Sequence, residues 1–171
     1  MVVAKVETRD EVGKSVSGGR SERTVVKVGF DFGTNTSVIC AAESGKDVEL
    51  KQDMVLSVVG YPKPGLLPGI LPRGKRILFG DEAVQHRLHL NLKWPLIKGI
   101  VTDFEPAKDF MGHVRTVIDP DGAKEIWAVI GCPANSSSEK CHDLRTSCAS
   151  AFSKVLIVPE PFLAAMGFRD E

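Results

Sequence analysis

Residues Gly29-Phe30-Asp31-Phe32-Gly33-Thr34-Asn35-Thr36 stand between two β-prone runs, Val25-Val26-Lys27-Val28 and Ser37-Val38-Ile39-Cys40-Ala41-Ala42. A short stretch holding a glycine between two such runs predicts a tight turn joining two antiparallel strands. The turn has chemistry as well as shape. Asp31 can hold a hydrated magnesium ion, because hard cations take oxygen ligands and keep their waters. Gly33 lets the backbone come close to phosphate oxygens. Thr34, Asn35 and Thr36 add N–H and O–H donors in a concave turn. The same residues also suit an ordinary hairpin. A kinase Asp-Phe-Gly is excluded, because neither a glycine-rich loop nor a His-Arg-Asp loop precedes residue 31.

Length and composition allow one ordinary domain. The chain has 171 residues, with 43% apolar and 26% charged side chains, as in a soluble globular protein. Its 22 basic and 22 acidic residues cancel, so bulk charge points to neither nucleic acid nor an acidic membrane. No apolar run has the length of a membrane span, and the first residues lack a signal-peptide core. A cytoplasmic protein with no membrane insertion and no nucleic-acid partner is the expectation. Cys40, Cys132, Cys141 and Cys148 have no zinc-ligand spacing. Cys141, Leu144, Cys148 and Phe152 fall on one helical stripe, which reads as core rather than as a metal or nucleophile site.

Along the chain, residues 1–24 mix charges with glycine and serine and read as a disordered tail. Residues 25–50 read as two or three strands with a second turn at Glu43-Ser44-Gly45-Lys46-Asp47, and Met54 to Val59 as a further strand. Gly60 to Gly74 is a Pro/Gly-rich loop. Gly69 to Lys75 imitates the start of a P-loop, but Arg76 replaces the required Ser or Thr and Pro72 removes a backbone donor. A short helix from Gly80, with Asp81 as N-cap, is broken by Trp94-Pro95-Leu96. Pro106 to Ile118 reads as a helix with Phe110, Val114 and Val117 on one face. Asp119-Pro120-Asp121-Gly122 is a turn. Glu125 to Gly131 reads as a strand covered on both faces. Ser136-Ser137-Ser138-Glu139 is a capping box, and Val155 to Val158 is another buried strand. Pro159-Glu160-Pro161 then leads into a last helix. Strand, helix, strand, helix implies parallel pairing by a right-handed crossover.

Glu160 thus falls where a parallel strand ends and a helix begins, the place where α/β sheets take ligands. A glutamate there can orient water for attack on a phosphate. It also suits a helix start with no further role.

Several separated stretches resemble the actin, sugar-kinase and heat-shock ATPase superfamily. Asp31-Phe32-Gly33-Thr34-Asn35-Thr36 resembles its first phosphate motif, and Val158 to Gly167 its first connecting motif. Val129-Ile130-Gly131-Cys132-Pro133-Ala134 is similar to a segment of bacterial actins. Val58 to Lys63, Phe79 to Ala83 and Trp94 to Gly99 resemble the magnetosome actins, in the same order. The likeness covers about residues 25–168. It implies an α/β, ribonuclease-H-like actin fold: its N-terminal half, a mixed sheet with flanking helices. It implies a larger subdomain of residues 25–50 and 97–171 and a smaller one of residues 51–96. It also implies ATP and magnesium as cofactors, with Asp31 beside the metal, Gly33 to Thr36 at the phosphates and Glu160 assisting hydrolysis. The family's second phosphate loop, adenosine segment and second connecting motif do not occur before Glu171, so only one jaw of the clamp is expected here, without turnover of its own. The expected function is part of an ATP-dependent cytoskeletal filament protein that positions magnetosomes. Its partner would be another copy or a full-length bacterial actin. A small-molecule kinase of the same superfamily and a non-catalytic half-actin that modulates filaments are the alternatives.

Overall fold

The computed structural model describes residues 24–43 and 51–167. The expected N-terminal tail up to residue 23 and the turn after Glu43 lie outside these residues.

A five-stranded mixed sheet is the main body. Strand β1 (Val25–Asp31) is central, pairing antiparallel with β2 (Thr36–Glu43) and parallel with β9 (Glu125–Cys132). β3 (Lys51–Leu56) extends one side antiparallel to β2, and β10 (Lys154–Pro159) extends the other parallel to β9. The order β10-β9-β1-β2-β3 is the mixed arrangement that the strand–helix–strand reading predicts. Val26, Val28 and Phe30 of β1 and Ile126, Ala128 and Ile130 of β9 all face the core. The parallel register pairs Val26 with Ile126 and Phe30 with Ile130, so their buried faces coincide.

That face is covered by α2 (Phe104–Ile118) and α3 (Ser138–Cys148). On α2, Phe110 and Val114 are buried and Val117 packs against them, the 3.6-residue stripe read from the sequence. α2 starts at Phe104, a little earlier than expected, with Pro106 inside the first turn. The cap of α3 is Ser137, whose side chain accepts from Lys140 N–H at 3.4 Å. The cap falls one residue later than expected, and with Lys140 in place of Glu139 at the third helical position the reciprocal half of a capping box is not made.

The opposite face corrects the sequence reading. β9 and β10 were expected to be buried on both sides. Instead β9 alternates strictly between buried and half-buried residues. Leu156 of β10 is 57% exposed, and Trp127, Val129 and Leu156 share the open face with Lys27 and Gly29. Over Trp127 lies the Lys154 ammonium, 3.6 Å from the ring centroid, a cation–π contact made across paired positions of β9 and β10.

The residues expected as one strand, Met54 to Val59, split. β3 ends at Leu56, and β4 (Val59–Pro62) starts a three-stranded antiparallel sheet of order β5-β4-β6, with β5 (Leu78–Phe79) and β6 (Leu90–Lys93). Helix α1 (Gly80–Gln85) is short, and its N-cap position is Phe79, not Asp81. It stops because Leu90 buries itself in the smaller core with Val58, Leu71, Leu78 and Ala83, which favours a strand paired to β4 over continued helix. β7 (Leu96–Ile97) and β8 (Ile100–Val101) form a hairpin whose turn, Lys98-Gly99, has positive φ at both residues, as a two-residue hairpin turn needs.

Two contacts dock the smaller sheet on α2. Tyr61 Oη donates to Asp109 Oδ2 at 2.7 Å. Phe79 stacks on His113, with centroids 4.5 Å apart and planes 4° apart. Burial, and then Lys75 nearby, hold His113 below its usual pKa, so the stacked ring is neutral. Burial, with the Asp109 bond next, raises the Tyr61 pKa above its ordinary 10.0. A group that holds its proton more tightly when folded stabilises the fold below its unfolded pKa and loses that contribution as pH rises. Tyr61→Phe is therefore expected to cost roughly 1–2 kcal/mol at neutral pH. In urea melts the gap between wild type and variant should shrink above about pH 10. A gap that does not change with pH would show that folding does not raise the Tyr61 pKa, and no gap at neutral pH would show that the Asp109 bond contributes nothing.

Candidate functional site

Parallel pairing carries the ends of β1, β9 and β10 to one edge of the sheet. Asp31 closes β1, Cys132 closes β9, and Glu160 opens α4 (Glu160–Gly167) directly after β10. Asp31 and Glu160 line one cleft of about 510 Å³, with Gly29, Gly131 and Leu163 in its wall. Residues 129 positions apart in the chain are thus brought to one concavity at strand ends. Both carboxylates are exposed.

The turn after Asp31 is held from three directions. Beneath it, the buried Phe32 stacks between Phe30 and Phe110, with centroids 5.5 Å apart on each side. On one flank, Gly99 N–H of the β7–β8 hairpin donates to Thr34 Oγ1 at 3.0 Å. On the other, Ser57 N–H donates to Asn35 C=O at 2.8 Å, and the buried hydroxyls of Ser37 and Ser57 are bonded at 2.8 Å. Thr34 keeps its own O–H free to donate, because the Gly99 bond uses its oxygen as acceptor. Gly33 is there for space. A Cβ added to it would stand 2.2 Å from Thr36 C=O, closer than any packed pair of atoms. The turn residues Gly33, Thr34, Asn35 and Thr36 do not line the cleft itself but continue from its Asp31 wall.

Gly131, Ser57 and Gly99 were not singled out as functional positions from sequence. A Cβ on Gly131 would lie 3.1 Å from Glu160 Cγ, so the glutamate side chain crosses over bare backbone. A glycine inside an otherwise continuous apolar strand is the signal that could have marked this close approach.

The thiols of Cys132 and Cys148 take no part, whereas Cys40 lines the cleft beside Asp31. Cys132 and Cys141 have sulfurs 3.9 Å apart. Burial, then the Cys141 contact, raises the Cys132 thiol, and burial pushes Cys148 up to about 12. Both stay protonated at neutral pH and unreactive, and the stripe through Leu144, Cys148 and Phe152 is core. Among the described residues no three His, Cys, Asp or Glu side chains cluster to hold a metal. A lone exposed carboxylate such as Asp31 fits a magnesium ion held through its waters and a ligand's phosphates, not a protein cage. Gly33 is packed against Thr36 C=O and so sets the shape of the turn, and the donors after it fit the phosphate end of a nucleotide.

No profile of a known protein family matches the chain. Curated relatives do. The actin-like protein MamK of Magnetospirillum gryphiswaldense is 32% identical over 164 residues, covering 93% of this chain and 43% of the relative. MamK of Paramagnetospirillum magneticum is 33% identical over 145 residues, covering 82% and 40%. In fold, the chain matches a MamK double helical filament with TM-score 0.72 at 30% identity, over 84% of this chain and 43% of that one. The chain is similar to bacterial actin-like proteins over part of their length and shares their fold. A Spiroplasma citri MreB5 structure bound to ADP, at 21% identity and TM-score 0.58, shares the fold. The actin-like chain spans about two fifths of the length of the relatives it matches, and their N-terminal part is the part matched.

Gly33→Ala is expected to destabilise the protein by about 1–3 kcal/mol, the usual cost of forced overpacking. Thermal melts check it. Gly112→Ala, where an added Cβ meets nothing within 4 Å, is the control and should leave the melting temperature unchanged or slightly raised.

Proposed function

We propose that this chain forms the phosphate-binding, N-terminal half of an ATP-dependent actin-like filament protein of the MamK kind. The observation that carries the reading is the shared cleft of Asp31 and Glu160 at the ends of β1 and β10. It is supported by the likeness to a MamK filament and to a non-polymerising MamK mutant bound to AMPPNP, at TM-score 0.70 and 30% identity. The larger subdomain is residues 25–50 and 97–171 and the smaller one residues 51–96. Strand β3 is hydrogen-bonded into the five-stranded sheet, which favours drawing the lower bound of the smaller subdomain nearer Ser57 than residue 51.

In this reading Gly33 admits phosphate oxygens to the backbone, and Thr34, Asn35 and Thr36 donate to them. Asp31 accepts from waters of a magnesium ion, whose role when bound is to neutralise phosphate charge. Glu160 accepts a proton from the attacking water and orients it, acting on the transition state more than on bound nucleotide. Self-association into filaments in the cytoplasm, and the positioning of magnetosomes, extend the reading from the relatives. The open sheet face around Trp127, Val129 and Leu156 favours a second role: a non-catalytic half that joins filaments of a full-length bacterial actin. Co-sedimentation with such an actin without added nucleotide tests that role.

The main test joins this chain to the remaining part of a MamK relative. Glu160→Ala should slow phosphate release on the order of a hundredfold while ATP binding stays within a few-fold. Asp31→Ala should instead weaken magnesium-dependent binding itself. Phosphate release at the unmodified rate in Glu160→Ala would reduce Glu160 to a helix-start carboxylate.

A further inference from the structure

Two of the four thiols face each other. Cys132 ends β9 and is 5% exposed, whereas Cys141, at the end of the first turn of α3, is half-buried. Their sulfurs are 3.9 Å apart. A disulfide bond is about 2.05 Å long, so each sulfur has to move by about 1 Å to make one. The backbone between them is ordered. Ser136 N–H donates to Pro133 C=O at 3.0 Å, and Cys141 N–H donates to Ser137 C=O at 3.1 Å. Among the described residues no third His, Cys, Asp or Glu side chain joins the pair to hold a metal, so it stands as a dithiol.

The pair adjoins the candidate site on two sides. In the β9–β10 register Cys132 lies opposite Pro159, the residue before Glu160. Gly131, which precedes Cys132, is the bare backbone that Glu160 crosses. Pro133, which follows it, presses on the β7–β8 hairpin: a Cβ added to Gly99 would stand 2.7 Å from Pro133 Cγ. Gly99 N–H is the donor that holds Thr34. The other end of the pair leads to the same place, since α3 packs against β8. Whichever sulfur moves, the hairpin beside the phosphate turn meets the displacement.

We propose that Cys132 and Cys141 are a dithiol that hydrogen peroxide closes to a disulfide, and that closure shifts the hairpin holding Thr34. Cys141 reacts first, because it is the one open to solvent. Its sulfur attacks a peroxide oxygen. The O–O bond breaks, a sulfenic acid forms on Cys141, and the departing hydroxide takes the thiol proton and leaves as water. Burial closes Cys132 to reagents in solution, but not to a sulfur already beside it. Cys132 sulfur then attacks the sulfenic sulfur. The S–S bond forms, the S–O bond breaks, and the hydroxyl leaves with the Cys132 proton as a second water. Two electrons thus pass from two thiols to one peroxide. A small thiol in solution reopens the bond by exchange, as suits a transient, sensing disulfide. The bond itself does not rest on the nucleotide reading.

Peptide mapping of the full chain tests it. After peroxide, free thiols are blocked with iodoacetamide and the chain is digested without reductant. Trypsin cuts after Lys140 and so separates the two cysteines. The map should show a peptide holding Cys132 joined to one holding Cys141, lost on adding dithiothreitol. Cys132→Ala should lose the joined peptide and instead carry dimedone, a sulfenic-acid trap, on Cys141. Cys141→Ser should lose it too and leave Cys132 unlabelled. Hydrogen exchange at the Gly99 amide should differ between the oxidised and reduced chain. The joined peptide and the Gly99 amide are read on the unmodified chain, so neither depends on a variant that folds. A bond to another cysteine or between two chains, or a joined peptide that appears only in urea, overturns the proposal. Dimedone on Cys132 overturns the order of attack, and equal Gly99 exchange in both forms overturns the link to the turn.

Discussion

An unbroken row of ring contacts ties the molecule together. It runs from Phe152, before β10, to Phe30 (6.4 Å), Phe32 (5.5 Å) and Phe110 (5.5 Å), then to His113 (6.3 Å) and Phe79 (4.5 Å) in the smaller sheet. Each contact is small, about 0.5–1.5 kcal/mol beyond area burial. Their arrangement matters more than their sum. Phe32 points inward, so its neighbours Asp31 and Gly33 are held at the surface. The chemistry of the turn is exposed because its middle residue is not.

What the sequence disclosed follows from which signals are local. The antiparallel pairing of β1 with β2 across the Gly33 turn, and the buried stripe of α2, both depend on neighbours within a few residues. They appear as expected. The end of α1 does not, because Leu90 to Lys93 becomes a strand only by pairing with β4. The β7–β8 hairpin was also missed. Its strands have two residues each, too few to show any period, although Lys98-Gly99 carried a turn signal. The one-sided cover of β9 could not be read either, since a continuous apolar run looks the same whether one face or both find a partner.

The candidate site divides the same way. Asp31 and Glu160 each stood out at a strand end, but their sharing of one cleft required the parallel register of β1, β9 and β10. The supporting bonds from Ser57 and Gly99 come from segments 22 and 65 residues beyond their acceptors, and no local pattern announces them. Net charge misled in a different manner. A sum of zero is silent about where the charges lie; residues 57–99 already hold seven of the cations against two acids, and the fold gathers that segment into one lobe.

Ser57 belongs to two structures at once. Its backbone N–H is committed to the turn through Asn35, and its side chain to Ser37. The next residue, Val58, is already in the core of the smaller sheet. The chain therefore passes from one sheet to the other at a point that is fastened to the turn, not at a slack linker. If the two sheets swing relative to each other, the pivot is nailed at the floor of the phosphate turn. Tilting the smaller lobe and reshaping that turn then become a single motion, and a ligand that stiffens one would stiffen the other without any further contact between them.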